Sequence, residues 1–274
     1  MPPYVWVLCI AGGVLLLAVV IYLYMIKPAS VKDVNMAKYG KKFAHRGLWD
    51  AESPENSLAA FKKAVDAGYG IEFDIHKTSD GHVVVFHDDT LTRMCGVEGK
   101  IEQKTLAELR ELRLKGTDQQ IPTLQEMLAL VDGRVPLLVE LKGEDTCTAL
   151  CPVADALLSQ YKGDYMIESF NPLLVRWYKK HRPDVVRGQL FCNLNGGKGY
   201  KKAVYYLITA LLTNVLARPH FLARGQDSAR NPSFLIGKHL FHAPSYVWTI
   251  RAQDQIPSPE SGEGIIFEGF IPKD

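Results

Sequence analysis

His45-Arg46-Gly47, Pro54-Glu55-Asn56, Glu72-Phe73-Asp74 and His87-Asp88 follow one another along the chain. These motifs hold two histidines, four carboxylates and an arginine, most of them at the ends of short apolar runs. A parallel barrel gathers chemistry at that place, where its strands end. Paired bases, carboxylates that suit a hard metal and a cation together point to metal-assisted cleavage of a phosphate ester.

Outward from this stretch, residues 42–274 alternate β-like runs with helical patterns, as βα units do. Strands are expected at 42–45, 70–75, 82–87, 136–141, 165–169, 185–191, 219–223, 246–250 and 264–267. Helices are expected at 57–67, 105–112, 124–131, 151–161 and 172–181. The second and third strands are joined by too short a segment for a helical crossover. Thr78-Ser79-Asp80-Gly81 is a turn signal, so one of the two is a hairpin decoration or an irregular strand. The fold class expected is α/β, a distorted TIM (β/α)8 barrel. A doubly wound open sheet is the competitor, weakened because no GxGxxG follows the first strand.

The chain's 274 residues are 47% hydrophobic, enough for one large barrel or two small domains. A net charge of +2 gives no reason to expect a nucleic-acid partner. Residues 4–26 carry no charge and suit a single transmembrane helix, with Trp6 near one end and Tyr22 and Tyr24 near the other. A cleaved signal peptide needs a basic leading segment, which Met1-Pro2-Pro3 lacks. Lys27, Lys32, Lys38, Lys41 and Lys42 follow the apolar run and place the body in the cytosol by the positive-inside rule. Residues 27–41 read as a linker. Cys9, Cys95, Cys147, Cys151 and Cys192 form no zinc pattern and read as free thiols of a reducing compartment. Gly12-Gly13 is no GxxxG motif, so oligomeric state is not legible.

Residues 203–217 are apolar on almost every face. A buried barrel helix is the favoured expectation. The alternative is a helix dipping into the membrane near the barrel mouth, motivated by the flanking Lys198, Lys201, Lys202 and Arg218.

Glu72 and Asp74 lie two apart on a strand and share a face; Glu140 and Lys142 repeat the spacing. Three carboxylates converging on a barrel axis repel unless a cation neutralises them, and all-oxygen ligation prefers a hard ion. Charge inside runs this apolar is costly without a role. Lys142 and Arg46 supply positive charge for a phosphorane-like transition state. His45 and His87 end strands and suit an acid–base pair. The other histidines lack that context, with His76, on Asp74's face of the strand, the first to reconsider.

These residues resemble the glycerophosphodiester phosphodiesterase family. The resemblance rests on His45-Arg46-Gly47, Pro54-Glu55-Asn56-Ser57, Glu72-x-Asp74, the stretch from Asp80-Gly81 to His87-Asp88, Leu91-Thr92-Arg93 and Glu140-x-Lys142. Glu168-Ser169-Phe170-Asn171, Trp248-Thr249 and Gly264-Ile265-Ile266 continue it, so it covers nearly all of residues 42–274. It implies a TIM barrel that hydrolyses glycerophosphodiesters to glycerol phosphate and an alcohol. Glu72, Asp74 and Glu140 would hold Ca²⁺ or Mg²⁺, with Mn²⁺ not excluded and Glu55 a fourth ligand or near neighbour. His45 and His87 would be the acid–base pair, Arg46 and Lys142 would contact phosphate, and Phe170 and Trp248 would line the glycerol and headgroup side. The family also implies the glycerol 2-hydroxyl as a candidate internal nucleophile, through a cyclic phosphate.

Two departures stand out. Ser57 replaces the family's usual Thr and keeps the hydroxyl. Residues 255–264, with two prolines, leave no room for a barrel helix, which predicts an exposed groove or a looser last strand. Two other functions remain in view: phospholipase D-like hydrolysis of lysophospholipids at the membrane, and a catalytically silent phosphodiester-binding barrel.

Overall fold

The computed structural model describes residues 2–143, 146–194 and 199–273. Among these, nine strands form: β1 (Lys42–His45), β2 (Gly70–Lys77), β3 (Val83–Val85), β4 (Leu137–Leu141), β5 (Tyr165–Ser169), β6 (Arg187–Phe191), β7 (Phe221–Gly225), β8 (Ser245–Ile250) and β9 (Gly264–Phe267). All but β3 pair in parallel, each with the next around the ring, and β9 returns to β1. The result is a closed eight-strand barrel. β3 is the hairpin decoration: it runs antiparallel to the end of β2, with Ile75 opposite Val85. Gly81, at φ +91°, makes the turn.

Among the helices are α1 (Pro3–Ile26), α2 (Leu58–Asp66), α3 (Leu124–Val131), α4 (Leu150–Leu158), α5 (Pro172–His181), α6 (Tyr200–Thr209), α7 (Asn214–Ala217, a single turn) and α8 (Pro232–His239). Residues 92–110 add two short helices, Thr92–Cys95 and Leu106–Arg110. The expected start of α3 is a capping box: Thr123 Oγ1 accepts from Glu126 N at 3.2 Å, and Glu126 Oε2 accepts from Thr123 N at 2.8 Å.

Inside the barrel, small and large residues alternate. Phe43, Phe221 and Tyr246 fill the lower axis, and a Cβ on Gly188 would overlap the Phe221 ring. Tyr39, in the turn Met36–Tyr39, closes the floor, and Tyr246 donates to Gly40 O at 3.1 Å. Residues 27–41, expected as a linker, are therefore docked on the barrel over part of their length. Only the upper axis is left to polar side chains.

Outside, Phe61, Phe73, Met127, Val139, Ile167 and Leu174 belong to the main layer between strands and helices. The β8–β9 connection contains only the short turns Gln253–Gln255 and Pro259–Ser261 among the described residues, with no barrel helix, as its two prolines led one to expect. Of the two expected consequences, the exposed groove is not present among the described residues. Val247, Ile265 and Phe267 are buried, with Ile256 and Phe270 packed against the same layer. Glu263 also pairs with Arg224 at 2.8 Å and Lys238 at 3.1 Å, tying the shortened connection to β7 and α8.

The run 203–217 corrects another expectation. It breaks into α6 and α7 instead of forming one buried helix. Asn214 and Ala217 of α7 are buried, but Leu216 and, in α6, Val204, Tyr206 and Leu207 are exposed. Of the lysines flanking the run, Lys198 lies outside the described residues. α1 has a mean hydropathy of 2.7, and its outward residues are exposed until the last turn. There Ile26 is buried, Asn214 Nδ2 donates to Ile26 O at 2.9 Å, and Arg218 donates to Tyr24 O at 2.8 Å.

Candidate active site

Parallel register builds the site in a row. His45 lies opposite Glu72, Asp74 opposite Glu140, and Glu140 opposite Glu168. Glu72 and Asp74 alternate with Phe73 and Ile75, which face the outer layer, so both carboxylates point to the axis. Ligand atoms of Glu72, Asp74 and Glu140 all lie within 4.8 Å of one another. Two oxygens on opposite sides of a Ca²⁺ ion are separated by about the same distance, since each bond is about 2.4 Å.

The electrostatics call for a cation. Burial, then Asp74 and Glu140, hold the Glu72 carboxyl well above the usual carboxylate range. Burial, opposed by Lys142 and reinforced by Asp74, pushes Glu140 up to about 7. Burial, with Glu140 and Asp74, also holds the Glu168 carboxyl well above the usual carboxylate range. Asp74 goes the other way: burial raises it, but Lys142, His87 and Arg46 outweigh burial and hold it well below its usual value. Lys142 Nζ stands 2.9 Å from Asp74 and 2.7 Å from Glu140. Glu168 Oε2 is buried with no hydrogen-bond donor. Four carboxylates share Lys142 and an Arg46 that also serves Glu55. The donor set fits a divalent hard ion on Glu72, Asp74 and Glu140.

The Arg46 turn is dictated locally. Gly47 has φ +85°, and a Cβ there would meet the Ala60 backbone at 2.8 Å, so the chain can fold this closely onto α2 only with glycine. The turn aims Arg46 N at Glu72 Oε2, 3.1 Å away, and sets Arg46 Nε 3.5 Å from Asp74. Glu55 lies beside the metal set rather than within it: Arg46 donates to it at 2.7 Å and Arg93 at 2.7 and 2.8 Å. Asn56 Nδ2 donates to Asp74 Oδ2 at 2.9 Å.

Both histidines are held by a carboxylate at Nδ1. His45 meets Glu268 at 2.5 Å, and His87 meets Asp88 at 2.6 Å. Each Nε2 is then left for the site, and that of His45 lies 3.9 Å from Glu72. Burial lowers both imidazoles below their ordinary range, against the opposing pull of Glu268 on His45 and Asp74 on His87. Glu268, raised by burial but held more strongly by His45 and Arg251, comes down to about 2. Asp88, raised by burial but held by Arg93 and His87, also comes down to about 2. His76 is fully buried at the hairpin, with Nε2 3.3 Å from His87 O, and braces the segment that carries His87.

Phe170 and Trp248 stack edge to face, with centroids 5.5 Å apart. Trp248 Nε1 donates to Ala223 O at 3.2 Å, and Gln189 Nε2 donates to Phe170 O at 3.0 Å. A cleft of about 570 Å³ opens over His87, Glu140, Lys142 and Phe170 and continues between Leu194, Val204 and Ile208. Sequence reasoning gave no role to Glu168, Glu268, Asp88, Arg93 or Asn56. Glu168 carried a signal, an acid inside the apolar run of β5; so did Glu268, an acid just after β9.

Comparison with known proteins agrees with this geometry. Residues 45–257 match the glycerophosphoryl diester phosphodiesterase family. A glycerophosphodiester phosphodiesterase of Caldanaerobacter subterraneus is 36% identical over 166 residues, 55% of this chain and 67% of the relative. Mouse glycerophosphodiester phosphodiesterase 1 is 32% identical over 152 residues, 52% of this chain and 45% of that protein. The matched segments thus span between about one third and two thirds of the curated relatives' own length. The crystal structure of a Thermotoga maritima glycerophosphodiester phosphodiesterase superposes with a TM-score of 0.63 at 27% identity, covering 83% of this chain and 93% of that one. An Oleispira antarctica phosphodiesterase, in complex with its product sn-glycerol-3-phosphate, shares the fold with a TM-score of 0.68 at 24% identity, covering 84% and 93%. The chain belongs to the glycerophosphoryl diester phosphodiesterase family of enzymes.

Proposed function

We propose that this chain hydrolyses glycerophosphodiesters to glycerol phosphate and an alcohol, using a divalent cation and two histidines. The observation that carries the reading is the buried Glu72, Asp74 and Glu140 cluster, with a carboxylate-held histidine on either side. Ca²⁺ or Mg²⁺ bound there supplies Lewis-acid stabilisation of charge on a phosphate oxygen. Arg46 and Lys142 bind the phosphate's remaining charge and fix its orientation.

His45 and His87 divide the proton work. Lowered by burial, one is neutral and takes the proton of the attacking hydroxyl at Nε2; the other, as an imidazolium beside its carboxylate, gives its Nε2 proton to the departing alkoxide. With the glycerol 2-hydroxyl as nucleophile, an oxygen–phosphorus bond forms as the bond to the alcohol breaks. A cyclic phosphate results, and water then opens it. The tethered hydroxyl gives this route its entropic advantage. Glu268 and Asp88 hold each imidazole in the tautomer that presents Nε2.

The organisation proposed is a single-pass anchor at 4–26, a connecting segment at 27–41 and a catalytic barrel at 42–274 on the cytosolic side. Docking of the last turn of α1 on Asn214 and Arg218 supports an anchor retained in the folded protein over a cleaved leader. One observation favours a second substrate class. The wall of Leu194, Val204 and Ile208 beyond Phe170 suits the acyl chain of a lysophospholipid.

The experiment is a product analysis with the detergent-solubilised full chain, on glycerophosphocholine and on lysophosphatidylcholine, with Ca²⁺, Mg²⁺ or EDTA. Choline with glycerol phosphate from the first substrate is expected, and EDTA should abolish it. Phosphocholine with glycerol would mean that the other ester bond is cut and would overturn the assignment.

A further inference from the structure

α1 gives the barrel an orientation. β7 runs from Phe221 near the floor to Gly225 at the catalytic rim. Ala29 N donates to Pro219 O, just below the start of β7, at 2.8 Å. Tyr22 Oη meets Ser233 Oγ, in the first turn of α8 beyond the rim end of β7, at 2.8 Å. From Ala29 back to Tyr22 the chain therefore climbs the barrel wall from floor to rim. The remaining helix, residue 21 back to residue 3, continues past the rim for about 28 Å at about 1.5 Å per residue. That is close to the hydrocarbon thickness of a bilayer. A membrane that takes up α1 lies over the catalytic mouth, not under the floor.

α6 sits on the same rim, in the connection from β6 to β7. At 100° per residue, Tyr200, Ala203, Val204, Tyr206 and Leu207 share one broad arc with Lys202, and all of them are exposed. Tyr200 is 77% and Tyr206 68% exposed. Ile208 is buried on the opposite arc, with Tyr205 half-buried beside it. A surface helix of a water-soluble domain turns its polar arc outward; α6 turns an apolar one. The same helix contributes Val204, Tyr205 and Ile208 to the cleft that holds His87, Glu140 and Lys142.

We propose that the outward face of α6 is a lipid-docking surface, seated in the headgroup layer of the bilayer that α1 enters, so that the catalytic cleft opens onto lipid. The occupant follows from two independent placements on one rim: the trajectory of α1 and the apolar arc of α6. Tyr200 and Tyr206 suit the interfacial zone, and Lys202 suits anionic headgroups. This rests on the anchor reading given above.

The test uses the full chain in vesicles of phosphatidylcholine and phosphatidylglycerol, with a benzophenone amino acid in place of Tyr206. Leu15 in α1 and Lys162 near the barrel floor serve as reference positions. After illumination, mass analysis should find lipid adducts at 206 and 15, with a yield at 206 roughly tenfold or more above that at 162. Lipid adducts at 15 alone would overturn the proposal. So would an adduct at 206 that joins two chains, since a second copy would then cover the face. The adduct is read without turnover, so a chain that hydrolyses nothing would defeat the proposed reaction and leave this result standing.

Discussion

Chelation should make the stability of the barrel depend on pH in a direction set by its buried carboxylates. Burial lifts Glu140 from the usual 4.5 to about 7 when no cation is bound. For an acid with a raised folded-state pKa, the unfolded chain loses its proton first. Stability is then complete below pH 4.5 and is lost as pH rises towards 7 and beyond. At about 1.36 kcal/mol per unit, Glu140 costs the cation-free fold about 3 kcal/mol by pH 8. Glu72 and Glu168 shift in the same direction and add to it. In a chain of this size, about 3 kcal/mol corresponds to a fall in Tm of roughly 6–12 °C. A bound divalent cation favours the ionised carboxylates and reverses the trend. Thermal unfolding in detergent, followed from pH 5 to pH 8 with EDTA or with saturating Ca²⁺, measures both arms. A Tm in EDTA that stays flat across this range, or a Ca²⁺ gain as large at pH 5 as at pH 8, would refute the reasoning.

Three further outcomes are expected. Glu268→Gln removes the charge that raises His45; kcat should fall roughly tenfold or more, and the acidic limb of the pH–rate profile should move to lower pH, while an unmoved profile would leave Glu268 a purely structural residue. His220, driven down to about 4 by burial and Arg187, stays neutral in the fold while the unfolded chain takes up a proton, so stability is lost as pH falls from 6.5 to 4. Allowing for its partial exposure, the loss is about 2 kcal/mol; urea titrations should find it missing in His220→Gln, and equal slopes would contradict the assignment. Gly188→Ala forces a methyl group into the Phe221 ring, with an expected cost of about 1–3 kcal/mol; recovery in the double variant with Phe221→Leu would identify overpacking as the cause, and no loss of Tm would remove Gly188 from the packing account.

The barrel was legible because its strands are short apolar runs with turn signals between them, and β1, β5 and β9 form over the ranges expected. The metal-site candidates were legible from parity: Glu72, Asp74 and Glu140 interrupt runs that otherwise face the core. Glu268 was hidden by topology. It meets His45 only because β9 closes the ring beside β1, a contact spanning most of the chain. Glu55 and Arg46 were legible as site residues, but their pairing with each other and with Arg93 was not, since side-chain pairing across a turn leaves no periodic trace. The 203–217 run failed for a different reason. Apolar content marks a segment that avoids water without telling a protein core from open surface. The shortened β8–β9 connection was read correctly, but the exposed groove expected of it did not form. Ile256 and Phe270 fill space that a helix would have taken.

Release of glycerol phosphate from glycerophosphocholine by the full chain, compared with His87→Ala and Glu72→Ala, tests the central claim most directly. Cation-dependent release is predicted for the unaltered chain. His87→Ala should lose on the order of 10²–10⁴ of it while unfolding at the same temperature, and Glu72→Ala should also lose affinity for the cation. Release that survives EDTA, or that continues unchanged in His87→Ala, would contradict the account.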